Sequence, residues 1–275
     1  MEHADAGYLE AKRVIDDAAL DRSIARSFRE ALPDEPTVVD LGCGTGSMLG
    51  RLMEWGVDAG TYLGIDADDE VIVTARELRT AEARELGAVV SSTDMGIEIG
   101  GISARFECGD ALEQLQSVES PDAIIGLSFA DLVNPTALLD AVEAVATPGT
   151  QLYLPITFDD LTVFTPTDTR DSTVVEAFHA TMRREGFPDA GRRLISRLGG
   201  WSGRLEVASS DWLLQPGVEG YDRQQRLFLG HILGLIEAAV PETAAAGAWL
   251  ERRRLQLEAD ELGYIAHQYD LLYRF

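Results

Sequence analysis

Residues Thr37 to Met48 read T-V-V-D-L-G-C-G-T-G-S-M. Three β-favouring positions, Thr37 to Val39, lead into an acid, Asp40, and then into Leu41. Glycines stand at alternate positions after that, Gly42, Gly44 and Gly46, and Leu49, Leu52 and Met53 follow at helical spacing. The pattern predicts a buried strand, a tight turn and a helix beginning under the turn. Glycine suits a chain that takes positive φ or lets a ligand lie against bare backbone. The helix N-terminus adds free N–H groups and the positive end of a dipole. Such a turn holds a nucleotide-like ligand.

The rest of the chain bounds the reading. Its 275 residues fit one large domain or two small ones, and 45% hydrophobic content is ordinary for a protein with a core. No apolar run reaches the roughly 18 residues of a membrane span, and Met1 to Glu10 is too polar for a signal peptide. Cys43 and Cys108 are the two cysteines, and Cys43 lies inside the glycine turn, which argues against a structural disulfide. The expected compartment is cytoplasmic. Against 47 acids there are 23 bases, a formal charge of −24, and Lys12 is the one lysine among those bases. Acids dispersed in this way suit a solvated surface and a high-salt milieu, where screening removes self-repulsion. They speak against a nucleic-acid substrate, since phosphate backbones call for a basic surface.

In chain order, Tyr8 to Leu32 reads as one helix, with Leu20, Ile24, Phe28 and Leu32 as its apolar stripe. Pro33 and Pro36 end it. A helix from Ser47 to Trp55 closes on Gly56, Thr61 to Ile65 is a second strand, and Glu70 to Leu86 a helix capped by Asp68 or Asp69. Residues 87–101 carry no clear period and suit a loop or ragged hairpin. Ile102 to Cys108, Asp122 to Phe129 and Thr150 to Ile156 read as strands three, four and five, with a short helix through Leu115 and another opened by Asn134-Pro135 between them. Five alternations of strand and helix predict a doubly wound, mostly parallel α/β sheet with helices on both faces. Helices near Ser172 to Glu185 and Ala190 to Leu198, a strand from Arg204 to Leu214, and helices over 222–240 and 242–262 come next. Tyr264 to Phe275 fits a returning strand or an extension of the last helix. Without an internal repeat or low-complexity linker, one domain over 1–275 is expected: an N-terminal helical cap over 1–36, a ligand-binding core over 37–156, and the remaining strands and helices over 157–275.

Open α/β sheets bind ligands at the carboxyl ends of their strands. Four groups fall there: Asp40 with the glycine turn, Asp66 after strand two, Asp110 after strand three, and Ser128 to Asp131 after strand four. A carboxylate at Asp66 can accept both hydroxyls of a ribose. A side chain after strand three can reach the exocyclic amine of an adenine, and ionised Asp40 can hold an ammonium. The set describes a ligand with adenine, ribose and an amino-acid end.

At these positions V-V-D-L-G-C-G-T-G resembles the first motif of class I S-adenosylmethionine-dependent methyltransferases. Y-L-G-I-D-A-D is similar to that family's second-strand motif, F-E-C-G-D-A-L to its adenine-contacting segment, and D-A-I-I-G-L-S-F-A-D-L to its fourth strand. The resemblance spans about residues 37 to 156. It implies a Rossmann-like methyltransferase fold, a seven-stranded sheet whose last strand is antiparallel, which favours a strand at Tyr264 to Phe275. It also implies S-adenosyl-L-methionine as cofactor. By the resemblance Asp40, Gly42, Gly44 and Gly46 would hold the methionine portion, Asp66 the ribose and Asp110 with Ala111 the adenine, with Cys43, Ala67 and Ser128 also among the cofactor-binding residues. A dinucleotide fingerprint fits poorly, because Ser47 stands where its third glycine belongs. Read singly, Asp110 suits a helix cap as well, and Cys43 suits a small filler of the turn.

The sulfonium of such a cofactor carries an activated methyl, so the protein has mainly to place a nucleophile in line and exclude water. The acceptor pocket is expected above strands four and five, near Asp131, Asn134, Thr157, Phe158, Asp159 and Asp160, with the late helices as a lid. His179, His231, His267 and Tyr221 are candidate bases. Asn134-Pro135-Thr136 resembles only faintly the N-P-P-Y motif of amino-methylating nucleic-acid enzymes, and Asp159-Asp160 lacks a matching set of metal ligands. Lys12 and Arg13 suit either a solvated helix face or a contact with the cofactor carboxylate. Two function classes follow: an enzyme methylating a small molecule, and a cofactor-binding scaffold or activating subunit without catalysis. A protein acceptor is a further possibility, and a nicotinamide oxidoreductase the weakest reading.

Overall fold

The computed structural model describes residues 6–92 and 96–275. Two helices, α1 (Ala6–Ala19) and α2 (Arg22–Glu30), precede the first strand, β1 (Thr37–Leu41). The core continues as α3 (Ser47–Glu54), β2 (Ala59–Asp66), α4 (Asp69–Glu85), β3 (Val90–Ser92), β4 (Ile97–Ile99), β5 (Gly101–Cys108), α5 (Ala111–Leu115), β6 (Ala123–Ile125), α6 (Pro135–Val145) and β7 (Gln151–Thr165). The later part comprises α7 (Asp171–Glu185), α8 (Ala190–Leu198), β8 (Arg204–Ser209), β9 (Trp212–Leu214), α9 (Arg223–Ala239), α10 (Ala244–Glu258) and β10 (Gly263–Arg274). Among the described residues, no helix is long and apolar enough to cross a membrane.

The expected single helix over 8–32 is two. Asp21 takes extended backbone and its carboxylate accepts the Ser23 and Ile24 N–H groups, so a new helix starts there. A four-residue stripe drawn through Leu20 to Leu32 passes over that N-cap unnoticed. Of the two cap candidates for α4, Asp68 is the N-cap and Asp69 the first helical residue, and Leu86 stands 58% exposed beyond the helix end.

One sheet carries the strands in the order β3-β4-β5-β2-β1-β6-β7-β10-β8, with β9 pairing β10. Strands β5, β2, β1, β6 and β7 are parallel, and β10 runs antiparallel to both β7 and β8. The doubly wound sheet and its antiparallel last strand are therefore as expected. The sheet is wider than seven strands, because β3 and β4 form a hairpin beyond β5 and because the expected strand over 204–214 splits into β8 and β9. Residues 93–95, between β3 and β4, lie outside the described residues.

Strands four and five also depart from expectation. Strand four stops at Ile125, and Ser128 already has a positive φ of 49°. Strand five, expected to end at Ile156, runs on to Thr165. Pro155 has no N–H to give to a ladder, and the strand passes it as a bulge. Ile156 has φ 56°, an outlier for a β-branched residue, and the register slips between the Tyr269 and Leu271 pairs. A second slip, between Ala266 and Gln268, faces Asp160 with φ 58°.

Three apolar clusters hold these elements. Ile24, Phe28, Leu49, Leu52, Ile72 and Ala75 cover one face of the sheet. Leu115, Leu138, Leu139, Val142 and Leu194 cover the other. A third cluster lies over the extension of β7 and β10, where Tyr8, Ile15, Phe164, Phe228, Ile232 and Trp249 meet. Full burial of such side chains contributes about 1.5–3 kcal/mol each. The third cluster lays α1 against α9 at the carboxyl end of the sheet.

Candidate functional site

All three glycines of the turn have positive φ: 64° at Gly42, 53° at Gly44 and 73° at Gly46, the last being the N-cap of α3. A Cβ on Gly42 would drive into the Phe129 ring, and one on Gly46 would come to 2.8 Å from the ring of Phe106. At Gly44 a Cβ would find only Leu9 Cδ1, at 3.7 Å. Gly44 thus faces α1, with room for a methyl group and no clash. Cys43 is buried with its sulfur against Gly64, where a Cβ would approach to 2.9 Å. Burial, with Asp40 and Asp66 nearby, pushes its thiol well above the ordinary range, so it makes a poor nucleophile.

Asp40 lies beneath the turn, 1% exposed. The Tyr62 hydroxyl donates to its Oδ2 at 2.5 Å, while its Oδ1 is buried with no hydrogen-bond partner among the described residues. Burial raises its carboxyl to about 7, against the pull of the Tyr62 hydrogen bond and the Arg51 charge. At the end of β2, Asp66 accepts the Gly44 N–H at 2.9 Å on one oxygen and the Asp68 N–H at 3.1 Å on the other. It braces the turn, and half-buried, it retains lone pairs for another donor. Ala67, next to it, is exposed.

Asp110 is the N-cap of α5: its Oδ1 accepts the Leu112 and Glu113 N–H groups at 2.9 and 3.0 Å. The helix-cap alternative is therefore realised, and Ala111 is buried as the first residue of that helix. Ser128 stands after β6, its N–H on the Pro155 carbonyl and its Oγ 2.9 Å from Lys12 Nζ. Neither Lys12 nor Arg13 is a solvated residue. Lys12 binds Asp16 at 2.6 Å and lies 5.2 Å from the centroid of the Trp212 ring, whereas Arg13 pairs with Glu82 and Glu54.

The candidate bases are spread through the fold. Tyr221 gives its hydroxyl to the Leu262 carbonyl at 2.6 Å, and burial raises it to about 12. His179 is buried between Thr162 Oγ1 at 2.9 Å and Asp160 at 3.3 Å, and burial lowers its pKa. His267 pairs with Asp211 at 2.7 Å, and His231 stacks on Tyr8 with ring centroids 3.8 Å apart. Asp159 is held by Arg192 at 2.9 Å and Asp160 by Arg183 at 3.2 Å. Asn134 caps α6, its side chain accepting from Thr136 and Ala137. Asp131 differs from these. Half-buried after β6, it keeps its Oδ1 sealed from solvent with no partner among the described residues, and burial raises its carboxyl to about 7 while the Lys12 charge lowers it.

Sequence reading missed the residues that close the turn from above. Thr45 donates to Glu10 at 2.7 Å, Arg79 reaches the same carboxylate at 3.1 Å, and Phe129 packs on Gly42. Glu10 and Arg79 are 69 positions apart, so no local spacing could pair them.

A glycine turn on the central strand, strand order β5-β2-β1-β6-β7-β10-β8 and an antiparallel β10 define the Rossmann-like methyltransferase fold. No family model matches the chain. No curated protein matches it either. Among solved structures, a SAM-dependent methyltransferase from Thiobacillus denitrificans in complex with S-adenosyl-L-homocysteine is 19% identical, with 95% of this chain and 97% of that one covered and a TM-score of 0.46. A cyclopropane synthase from Mycobacterium tuberculosis is 13% identical over 91% and 84%, TM-score 0.49. The plantazolicin methyltransferase BpumL in complex with SAH is 12% identical over 98% and 85%, TM-score 0.46.

Proposed function

We propose that the chain, as one domain, binds S-adenosylmethionine at the glycine turn and transfers its methyl group to a small molecule. The observation that carries this is Asp40 Oδ1, a buried carboxylate oxygen without a partner among the described residues, beneath a turn where a Cβ on Gly44 would meet only Leu9 of α1 within 4 Å. Buried carboxylates are ordinarily paired, so the free oxygen fits an ammonium. Asp66 beside the turn fits a ribose diol, and Asp110, with Oδ2 outside its cap, the adenine edge. When bound, the cofactor supplies an activated methyl on a sulfonium.

What the chain's own residues do follows from their places. The turn and Asp66 fix the ligand's position, and α1 with Phe129 keeps water from it. Asp131, at the carboxyl end of β6, takes the proton of an acceptor hydroxyl; its raised pKa suits a base near neutral pH. The acidic surface favours a small neutral or cationic acceptor over a polyanion.

The test pairs S-adenosylhomocysteine calorimetry with transfer of labelled methyl from S-adenosylmethionine into a metabolite extract. Binding and a labelled small product are expected. Label in macromolecules alone would indicate a protein acceptor. Binding with no labelled product would favour the scaffold reading, for which α1 lying directly on the turn is the supporting observation. Absence of binding would refute both.

A further inference from the structure

The sheet fixes the direction in which a ligand crosses its strand ends. Neighbouring strands run β5, β2, β1, β6, carrying Asp110, Asp66, the glycine turn and Ser128 in that order. Adenosine over β5 and β2 sends the amino-acid end past β1 to β6. Lys12 is the cation standing there, 2.9 Å from Ser128 Oγ, with its side chain 13% exposed. Arg13 is engaged elsewhere, with Glu82 at 2.6 Å and Glu54 at 2.9 Å.

We propose that Lys12 holds the α-carboxylate of the bound amino-acid end, an assignment that rests on the S-adenosylmethionine reading above. An ammonium has three donors. Among the described residues, Asp16 and Ser128 take two, which leaves one N–H for an incoming carboxylate. Asp16 is itself fixed, since the Trp212 indole N–H donates to its other oxygen at 2.9 Å. The lysine stem is thereby held in one direction, and little side-chain freedom is lost on binding. In this assignment Lys12 takes the carboxylate of the amino-acid group and Asp40 its ammonium.

Two ligands separate this contact from a general effect on the site. S-Adenosylhomocysteine has the amino-acid end; 5′-methylthioadenosine lacks it. In calorimetry on the full chain, Lys12→Ala and Lys12→Gln are expected to weaken the first about 10- to 100-fold and the second by less than about twofold. Arg13→Ala serves as a control that leaves the ratio of the two affinities unchanged. An S-adenosylhomocysteine affinity within about twofold of the parent in either folded variant overturns the proposal. Equal loss for both ligands overturns it too, because Lys12 would then only hold α1 in place. If the parent chain binds neither ligand, the S-adenosylmethionine reading fails along with it.

Discussion

Asp270 accepts the Ile156 N–H at 2.9 Å, supplying the partner that the bulge in β7 removes from the ladder. Its other oxygen accepts the Asp21 N–H at 2.8 Å, so one fully buried carboxylate joins the bulge to the junction of α1 and α2. Asp270→Asn keeps the shape but turns an amide donor toward one of these N–H groups. Each buried donor left unsatisfied costs about 1–3 kcal/mol, and a loss of about 3 kcal/mol is expected. A urea titration should show a lower midpoint with an unchanged slope; an unchanged midpoint would show that the bulge is held by packing alone.

Gly42 and Gly44 share a backbone conformation and differ in what surrounds them. Alanine at either forces a left-handed backbone, at about 1–2 kcal/mol. At Gly42 the methyl also meets the Phe129 ring, so Gly42→Ala should be the more damaging to the fold. At Gly44 it meets only Leu9 Cδ1 within 4 Å, at 3.7 Å, on the side where α1 covers the turn. Gly44→Ala should fold with a modest loss of melting temperature and bind S-adenosylhomocysteine much more weakly. Equal effects of the two on thermal stability would contradict the geometry.

Asp40 makes ligand binding sensitive to pH. Its carboxyl lies near 7 in the folded protein against 3.8 ordinarily, so the fold binds the extra proton between those values. That contribution to stability is present below about pH 4 and is lost as pH rises through about 7, at most about 4 kcal/mol for three units. An ammonium on Oδ1 requires the ionised form, so S-adenosylhomocysteine affinity should rise up to about tenfold per unit from pH 5 to 7, then level. Calorimetry across this range reads the slope, and Asp40→Asn should remove it. A flat profile for the parent would take Asp40 out of the site.

The parts of this site that local chemistry determines were legible in the sequence. Alternating glycines and the acids after β1 and β2 announce a ligand turn, because backbone sterics and strand ends are near-neighbour properties. The extension of β7 was not, since the bulge that carries the strand past Ile156 is held by Asp270, 114 positions later, whose carboxylate accepts the Ile156 N–H. Asp21 hid the break between α1 and α2 for a different reason: an acid inside an apolar period looks like the solvent face. Lys12 stood out by composition, but only the fold shows that it meets Ser128 while Arg13 turns to Glu82.

Asp131 gives the methyl-transfer reading its own pH signature. A base must be ionised to act, so labelled-methyl transfer to a hydroxyl acceptor should rise through about pH 7 and then level. Asp131→Asn should lower transfer about 100-fold or more while leaving S-adenosylhomocysteine affinity unchanged. Retained transfer in that variant would move the proton's destination to another group, or mean that the acceptor atom needs no base.

Salt should stabilise this protein despite weakening its ion pairs. The chain carries a formal charge of −24, and its acids are dispersed, so self-repulsion acts across the whole surface. The ion pairs that salt would screen are worth about 0–1 kcal/mol each where exposed, as between Arg254 and Glu237, and less affected where buried, as at Arg79 and Glu10. Relief of repulsion is therefore the larger effect. With a Debye length of about 10 Å at 0.1 M and about 3 Å at 1 M, screening is nearly complete by about 1 M. The melting temperature in potassium chloride should climb steeply at low concentration and flatten towards 1 M. A linear rise continuing to several molar would indicate solute exclusion from the surface instead. A melting temperature that falls with salt would show that the ion pairs binding α1 to α3 and α4 outweigh the net charge.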